Sequence, residues 1–203
     1  KPLFSIRRNG TLYHFEKNRL AKYVFIASLP ICITGLGLKI FWLNYNDSFL
    51  RSLSSIAIVS IFMALLLFLS DIHGRKDKEI DDISMSNIVL IGIFQAFALI
   101  PGVSRSGITL TSALYTGLNR NAAARLSFLV GIPAITISGF VELVSLLRVL
   151  TLSEIIPLLI GIISSFYSSK IAIDFLLKFL KSNSTFIFVI YRLIMGCFIL
   201  VNI

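Results

Sequence analysis

The chain has 203 residues, 56% hydrophobic and only 14% charged, with a mean hydropathy of +0.89. A soluble domain carries about 25% charged residues, so the composition excludes an ordinary soluble fold and indicates an integral membrane protein. The net charge of +9 does not indicate nucleic acid, because no aromatic-interleaved basic groove accompanies it.

Residues 1–20 read as a basic cytoplasmic segment, without the apolar core of a signal peptide. Lys1, Arg7, Arg8, Lys17, Arg19 and Lys22 precede the first apolar run, and Arg75, Lys76 and Lys78 follow the second. Short loops rich in Lys and Arg mark the cytoplasmic face and attract anionic headgroups. The loop around 44–52 holds only Asp47 and Arg51, as an external loop should. Cys32 and Cys197 sit in apolar runs and read as packing residues. His14 and His73 have no companions at metal-ligand spacing, so no residue is assigned to a metal.

Uncharged runs recur at 23–38, 53–70, 83–104, 126–141 and 155–169. A helix crossing the hydrocarbon needs about 20 apolar residues, and flanking Lys or Arg can snorkel to the interface. Spanning helices are therefore expected near 21–41, 53–70, 126–147, 155–177 and 185–203. The connection DIHGRKDKEIDDISMSN, from Asp71, reads as a solvated cytoplasmic loop. A further apolar segment starts near Asn87 and meets Pro101 after 14 residues, about 21 Å of helix. That is too short to cross. A hairpin over 87–118 returns Arg120 and Arg125 to the basic side, so a re-entrant hairpin is preferred over a kinked crossing. Such backbone is tolerated at membrane depth only inside protein or beside a cavity. The expected fold is all-α, a single polytopic membrane domain over 1–203, with about five spanning helices plus one re-entrant helical hairpin.

LPICITGLGL (29–38) and IPAITISGFVEL (132–143) both set Pro, an Ile-Thr pair and Gly along an apolar helix. The second is preceded by the Pro101-Gly102 break and the first only by the basic tail. An inverted-repeat architecture with an incomplete first repeat fits this echo, and hints at a chain that starts late.

The stretch PGVSRSGIT (101–109) has the ingredients of a phosphate cradle. Gly102 and Gly107 allow backbone conformations closed to other residues. A helix resuming near Gly107 offers unpaired N–H groups and a positive dipole end. Arg105 supplies a planar fork matched to phosphate oxygens, while Ser104, Ser106 and Thr109 add hydroxyls. An ionisable residue at membrane depth is costly and marks function; the bland reading, a structural Arg105 capping carbonyls or paired with Glu142 or Asp174, does not need this company. Gln95, about two turns before the break, could orient a headgroup. Glu142 and Asp174 read as interhelical partners for Arg148, Lys170 or Arg192.

The segment GIFQAFALIPGVSRSGIT closely resembles the second signature of the undecaprenyl-diphosphate phosphatase family, the bacterial bacitracin-resistance membrane proteins. It fits at Gly92, Gln95, Pro101, Gly102, Ser104, Arg105, Ser106, Gly107 and Thr109. The similarity continues through AARLSFLVGIPA and the Tyr191-Arg192 pair. The resemblance implies a duplicated bundle with two re-entrant hairpins meeting at the site, in the bacterial inner (plasma) membrane. It implies hydrolysis of a polyprenyl diphosphate lipid to the monophosphate, recycling the carrier for cell-wall synthesis and conferring bacitracin resistance. It also implies a divalent cation, magnesium or calcium, whose ligands are not found in this chain. By the same resemblance Arg105, Ser104 and Thr109 are the catalytic residues, with Gln95, Gly102, Ser106 and Gly107 binding substrate. The family's earlier Glu-rich signature, ending Ser-Ser-Thr-Gly-His, has no match here, so the chain reads as one half of a composite site. Phosphatidic-acid-type phosphatases place a histidine six residues after the arginine; that position is Thr111, and the reading fails. The alternative is a protein that binds or translocates a lipid phosphate without hydrolysis.

Overall fold

The structure, a computed structural model, describes residues 5–8, 11–14, 17–41, 48–148 and 150–203. Lys1 and positions 42–47 of the expected external loop lie outside the described residues. Ser5–Arg8 (β1) and Thr11–His14 (β2) pair antiparallel, Ser5 opposite His14 and Arg8 opposite Thr11. The sequence reading named no element in this basic stretch; its Asn9-Gly10 dipeptide is a strong short-range hairpin signal.

Among the described residues seven α-helices follow: α1 (Lys17–Phe41), α2 (Leu53–His73), α3 (Met85–Ala96), α4 (Arg105–Tyr115), α5 (Arg120–Leu147), α6 (Ile155–Ser182) and α7 (Phe186–Val201). Small polar residues fix several starts by accepting a bond from a first-turn amide: Ser52 from Ser55 at 3.2 Å, Ser84 from Asn87 at 3.3 Å, Asn119 from Ala122 at 2.8 Å. Residues 19–41 of α1, and all of α2, α5 and α6, are long and apolar enough to cross a membrane. The fifth expected span, α7, has 16 residues, about 24 Å, and falls short of the roughly 30 Å hydrocarbon.

The helix ends meet in one polar layer. Arg19 Nη2, at the start of α1, donates to Ile83 O at 3.3 Å, just before α3. The backbones of Lys78 and of 117–119 exchange bonds, Lys78 N to Gly117 O at 3.1 Å and Asn119 N to Lys78 O at 2.9 Å. The stretch before α3 thus lies beside the stretch after α4, and α3 packs along α4. The chain turns back at Pro101-Gly102 instead of running on as a kinked helix. Arg120 Nε donates to Asp71 Oδ1 at 2.7 Å, and Thr185 donates to Asp71 Oδ2 from its N–H at 3.0 Å and its hydroxyl at 2.8 Å. This ties the end of α2 to the starts of α5 and α7.

That knot corrects the expectation of a solvated loop beginning at Asp71. The helix α2 runs on to His73, and Asp71, Ile80 and Ile83 are buried. Charge complementarity with Arg120 and Lys76 outweighs the polar composition of the stretch. The core is built on small residues, Ala27, Ala64, Ala113, Ala122 and Ala123, all buried, which let helix backbones approach closely. The helix α6 buries only Leu180, and α5 buries nothing beyond Gly131. Against acyl chains, large apolar side chains such as Phe166, Ile171 and Phe175 form a natural exterior. The two echoing segments lie in α1 and α5, which pack against each other; Ser28 Oγ donates to Val130 O at 3.2 Å.

Candidate phosphate-binding site

After α3 a 3-10 turn, Phe97–Leu99, tightens the chain, and Val103 N donates to Ile100 O at 3.2 Å. Gly102 has φ 91°, and a Cβ there would fall 2.6 Å from Ile56 O of α2. Glycine is required on both counts. Ser104 is not glycine, yet has φ 64° and ψ 114°, a sparsely populated conformation that costs about 1–3 kcal/mol and persists only when its surroundings hold it. Ser104 Oγ accepts from Gly107 N at 3.3 Å, starting α4 at Arg105. The N-terminal amides and dipole of α4 therefore lie at the turn, where an anion is favoured.

Ser104, Arg105, Ser106 and Gly107 divide between two cavities. Ser104, Ser106 and Gly107 line a cavity of about 440 Å³ with Ser60, Ser127, Tyr191 and Arg192. Arg105 instead lines one of about 890 Å³ between α1 and α5, with Gly35, Lys39, Leu99 and Glu142. The loop forms the wall between them. The Arg105 guanidinium rests over Gly131: a Cβ there would fall 2.2 Å from Nη1 and 2.7 Å from Cζ. Nη1 is buried with no hydrogen-bond partner among the described residues. Neither Glu142 nor Asp174 pairs with Arg105 or Arg192 among the described residues; Asp71 pairs with Lys76 and Arg120.

Thr109 is fully buried. Its hydroxyl meets Arg105 O at 2.9 Å, Ser106 O at 3.2 Å and Ser127 Oγ at 2.6 Å, while Ser127 Oγ donates to Ser106 O at 3.1 Å. In this arrangement Thr109 braces the first turn of α4 from behind and faces neither cavity. Gln95 is also fully buried between α3 and α1; Nε2 donates to Ala27 O at 3.4 Å, and Oε1 has no partner among the described residues.

Arg192 of α7 reaches the turn from the other side. Nη2 donates to Gly102 O at 2.5 Å and Val103 O at 3.2 Å, and Nε to Ser60 Oγ at 3.3 Å. The sequence reading gave Arg192 to an acidic partner, although a lone charge in the apolar stretch FIFVIYRLIMG carries the same signal as Arg105. Ser127 and Gly131 also went unassigned, because a small residue's value here lies in which neighbour comes close. Chemically, the turn offers a desolvated guanidinium, a helix N-terminus and hydroxyls. Such a set grips and neutralises phosphate oxygens. No group of three His, Cys, Asp or Glu among the described residues could hold a metal ion, so they do not by themselves fit a divalent cation.

A family model described as bacitracin resistance protein BacA matches residues 3–198. Curated proteins similar to the chain include undecaprenyl-diphosphatases of Prochlorococcus marinus. The relative from strain NATL2A is 59% identical over 188 residues, covering 93% of this chain and 67% of the relative. That from strain MIT 9313 is 49% identical over 182 residues, covering 90% and 61%. That from strain MIT 9515 is 44% identical over 189 residues, covering 93% and 71%. The chain spans about two thirds of the length of these relatives.

Proposed function

The chain belongs to the bacitracin resistance protein BacA family, and on that premise we propose that it serves the hydrolysis of undecaprenyl diphosphate to undecaprenyl phosphate and inorganic phosphate. The observation that carries this reading is the buried, unpartnered Nη1 of Arg105 beside the N-terminus of α4. A buried donor left without a partner costs free energy. A diphosphate would supply the missing acceptors with the geometry a guanidinium matches.

In this reaction water attacks the terminal phosphorus, the bond to the bridging oxygen breaks, and the lipid monophosphate leaves with that oxygen. Positioning and charge stabilisation are most of the catalysis. Arg105 and the first-turn amides of α4 stabilise the equatorial and bridging oxygens as charge moves onto them. Ser104 holds α4 at its start, and Thr109 with Ser127 keeps that turn from shifting. The apolar walls around the turn exclude bulk water and strengthen each of these interactions. Glu142 shares the wall of the Arg105 cavity and receives no acid–base role here. The divalent cation belongs to this reading through the resemblance alone, and a magnesium and calcium titration tests it. The reading places the protein in the bacterial plasma membrane, where its substrate resides.

The test is phosphate release from undecaprenyl diphosphate by the purified chain in detergent with magnesium, beside Arg105→Ala. The expected result is release once the Glu-rich segment that the resemblance implies is supplied alongside the chain, with at least about a hundredfold loss in the variant. Movement of intact lipid between leaflets with no phosphate released would overturn hydrolysis in favour of translocation.

A further inference from the structure

We propose that Arg192 is a positioning residue that holds the 101–107 turn in its phosphate-gripping form, an inference that rests on the reading of this turn as the grip. Arg192 lies in α7, ninety residues beyond the turn, and touches it at two consecutive carbonyls, Gly102 O and Val103 O. Carbonyls left open where a helix breaks need donors, and at membrane depth water is scarce. A guanidinium supplies several donors in one plane. Ser60 Oγ takes the Nε–H and fixes the rotation of that plane from α2.

The consequence reaches the amides. Across a trans peptide the C=O and N–H point in opposite directions. Drawing Val103 O toward Arg192 therefore turns the Ser104 N–H away from α7. It also sets the peptide plane whose rotation gives Ser104 its positive φ. The remaining nitrogen, Nη1, sits over Gly107, where a Cβ would fall 2.8 Å away. Two arginines thus flank one turn, each seated over a glycine of a neighbouring helix, Arg105 over Gly131 and Arg192 over Gly107. Arg192 commits Nη2 to the turn's backbone and Nε to Ser60, whereas Nη1 of Arg105 has no partner among the described residues. Their roles differ accordingly.

The experiment follows backbone hydrogen exchange across the whole chain in detergent micelles, for wild type, Arg192→Gln, Arg192→Lys and Ser60→Ala. Affinity for undecaprenyl diphosphate is measured beside it. Arg192→Gln should speed exchange at 103–107 about tenfold or more and weaken lipid binding about tenfold, while central α2 and α7 amides keep their protection. Arg192→Lys should follow the same direction, because one ammonium cannot span both carbonyls and Ser60. Ser60→Ala, a mild change, should give a smaller rise at the same amides. Unchanged exchange at 103–107 in both Arg192 variants overturns the proposal. So does weakened binding with unchanged exchange, which would make Arg192 a direct ligand contact. If Arg192→Gln also loosens α7, Ser60→Ala decides: no rise at the turn overturns positioning. A wild-type chain that binds no lipid diphosphate would sink the reading of the site, while the exchange data would still judge Arg192.

Discussion

Gly131→Ala separates the grip from the fold. The added Cβ would lie 2.2 Å from Arg105 Nη1, against an ordinary carbon contact of about 3.5 Å, so the guanidinium must retreat by roughly 1.3 Å. It is the far end of a flexible side chain, and the helix backbone need not move. Replacing a helical glycine also favours the helix by about 0.5–1 kcal/mol. The fold should therefore be as stable as wild type or slightly more so. Hydrogen bonds from a charged group contribute about 1.5–3 kcal/mol, and losing one such contact weakens affinity roughly 10- to 100-fold. The assay pairs equilibrium binding of undecaprenyl diphosphate in detergent with thermal unfolding of the same samples. Full affinity in the variant, or a clear drop in unfolding temperature with affinity lost in proportion, would refute the seat of Arg105 over Gly131.

Two further outcomes are expected. Asp71→Asn should lower the unfolding temperature, since it weakens the charged bond to Arg120 and the two bonds from Thr185, together worth about 2–4 kcal/mol; unchanged unfolding would show that the knot is not stabilising. Asp81, in the loop before α3, has Oδ1 buried without a partner among the described residues. Burial first, and then Asp82, push its carboxyl above the usual carboxylate range. A raised carboxyl favours the fold when protonated, an advantage complete below about pH 3.9 and lost as pH rises through the raised value. Asp81→Asn should thus stabilise the chain at neutral pH, with the gain fading toward pH 4; a gain independent of pH would exclude this cause.

Membrane character, most helix boundaries and the hairpin followed from one-dimensional facts. Apolar length against hydrocarbon thickness separates 14 residues before Pro101 from a full crossing, and the side on which Lys and Arg fall fixes direction. That 101–109 is an unusual break was legible too, because Arg and Gly-rich turns are costly in lipid unless used. Tertiary structure alone decided how those residues divide. It turned Thr109 inward onto Ser127 and set Ser104 and Ser106 on one cavity and Arg105 on another. It also drew Asp71 out of an apparently solvated loop into a buried knot, and gave Arg192 to backbone carbonyls in place of a carboxylate. The physical reason is common to all four. A polar group at membrane depth must find a partner, but composition shows only the need. Which partner answers depends on helices brought together from 18 to 114 residues apart, and on glycines whose worth is the space they leave.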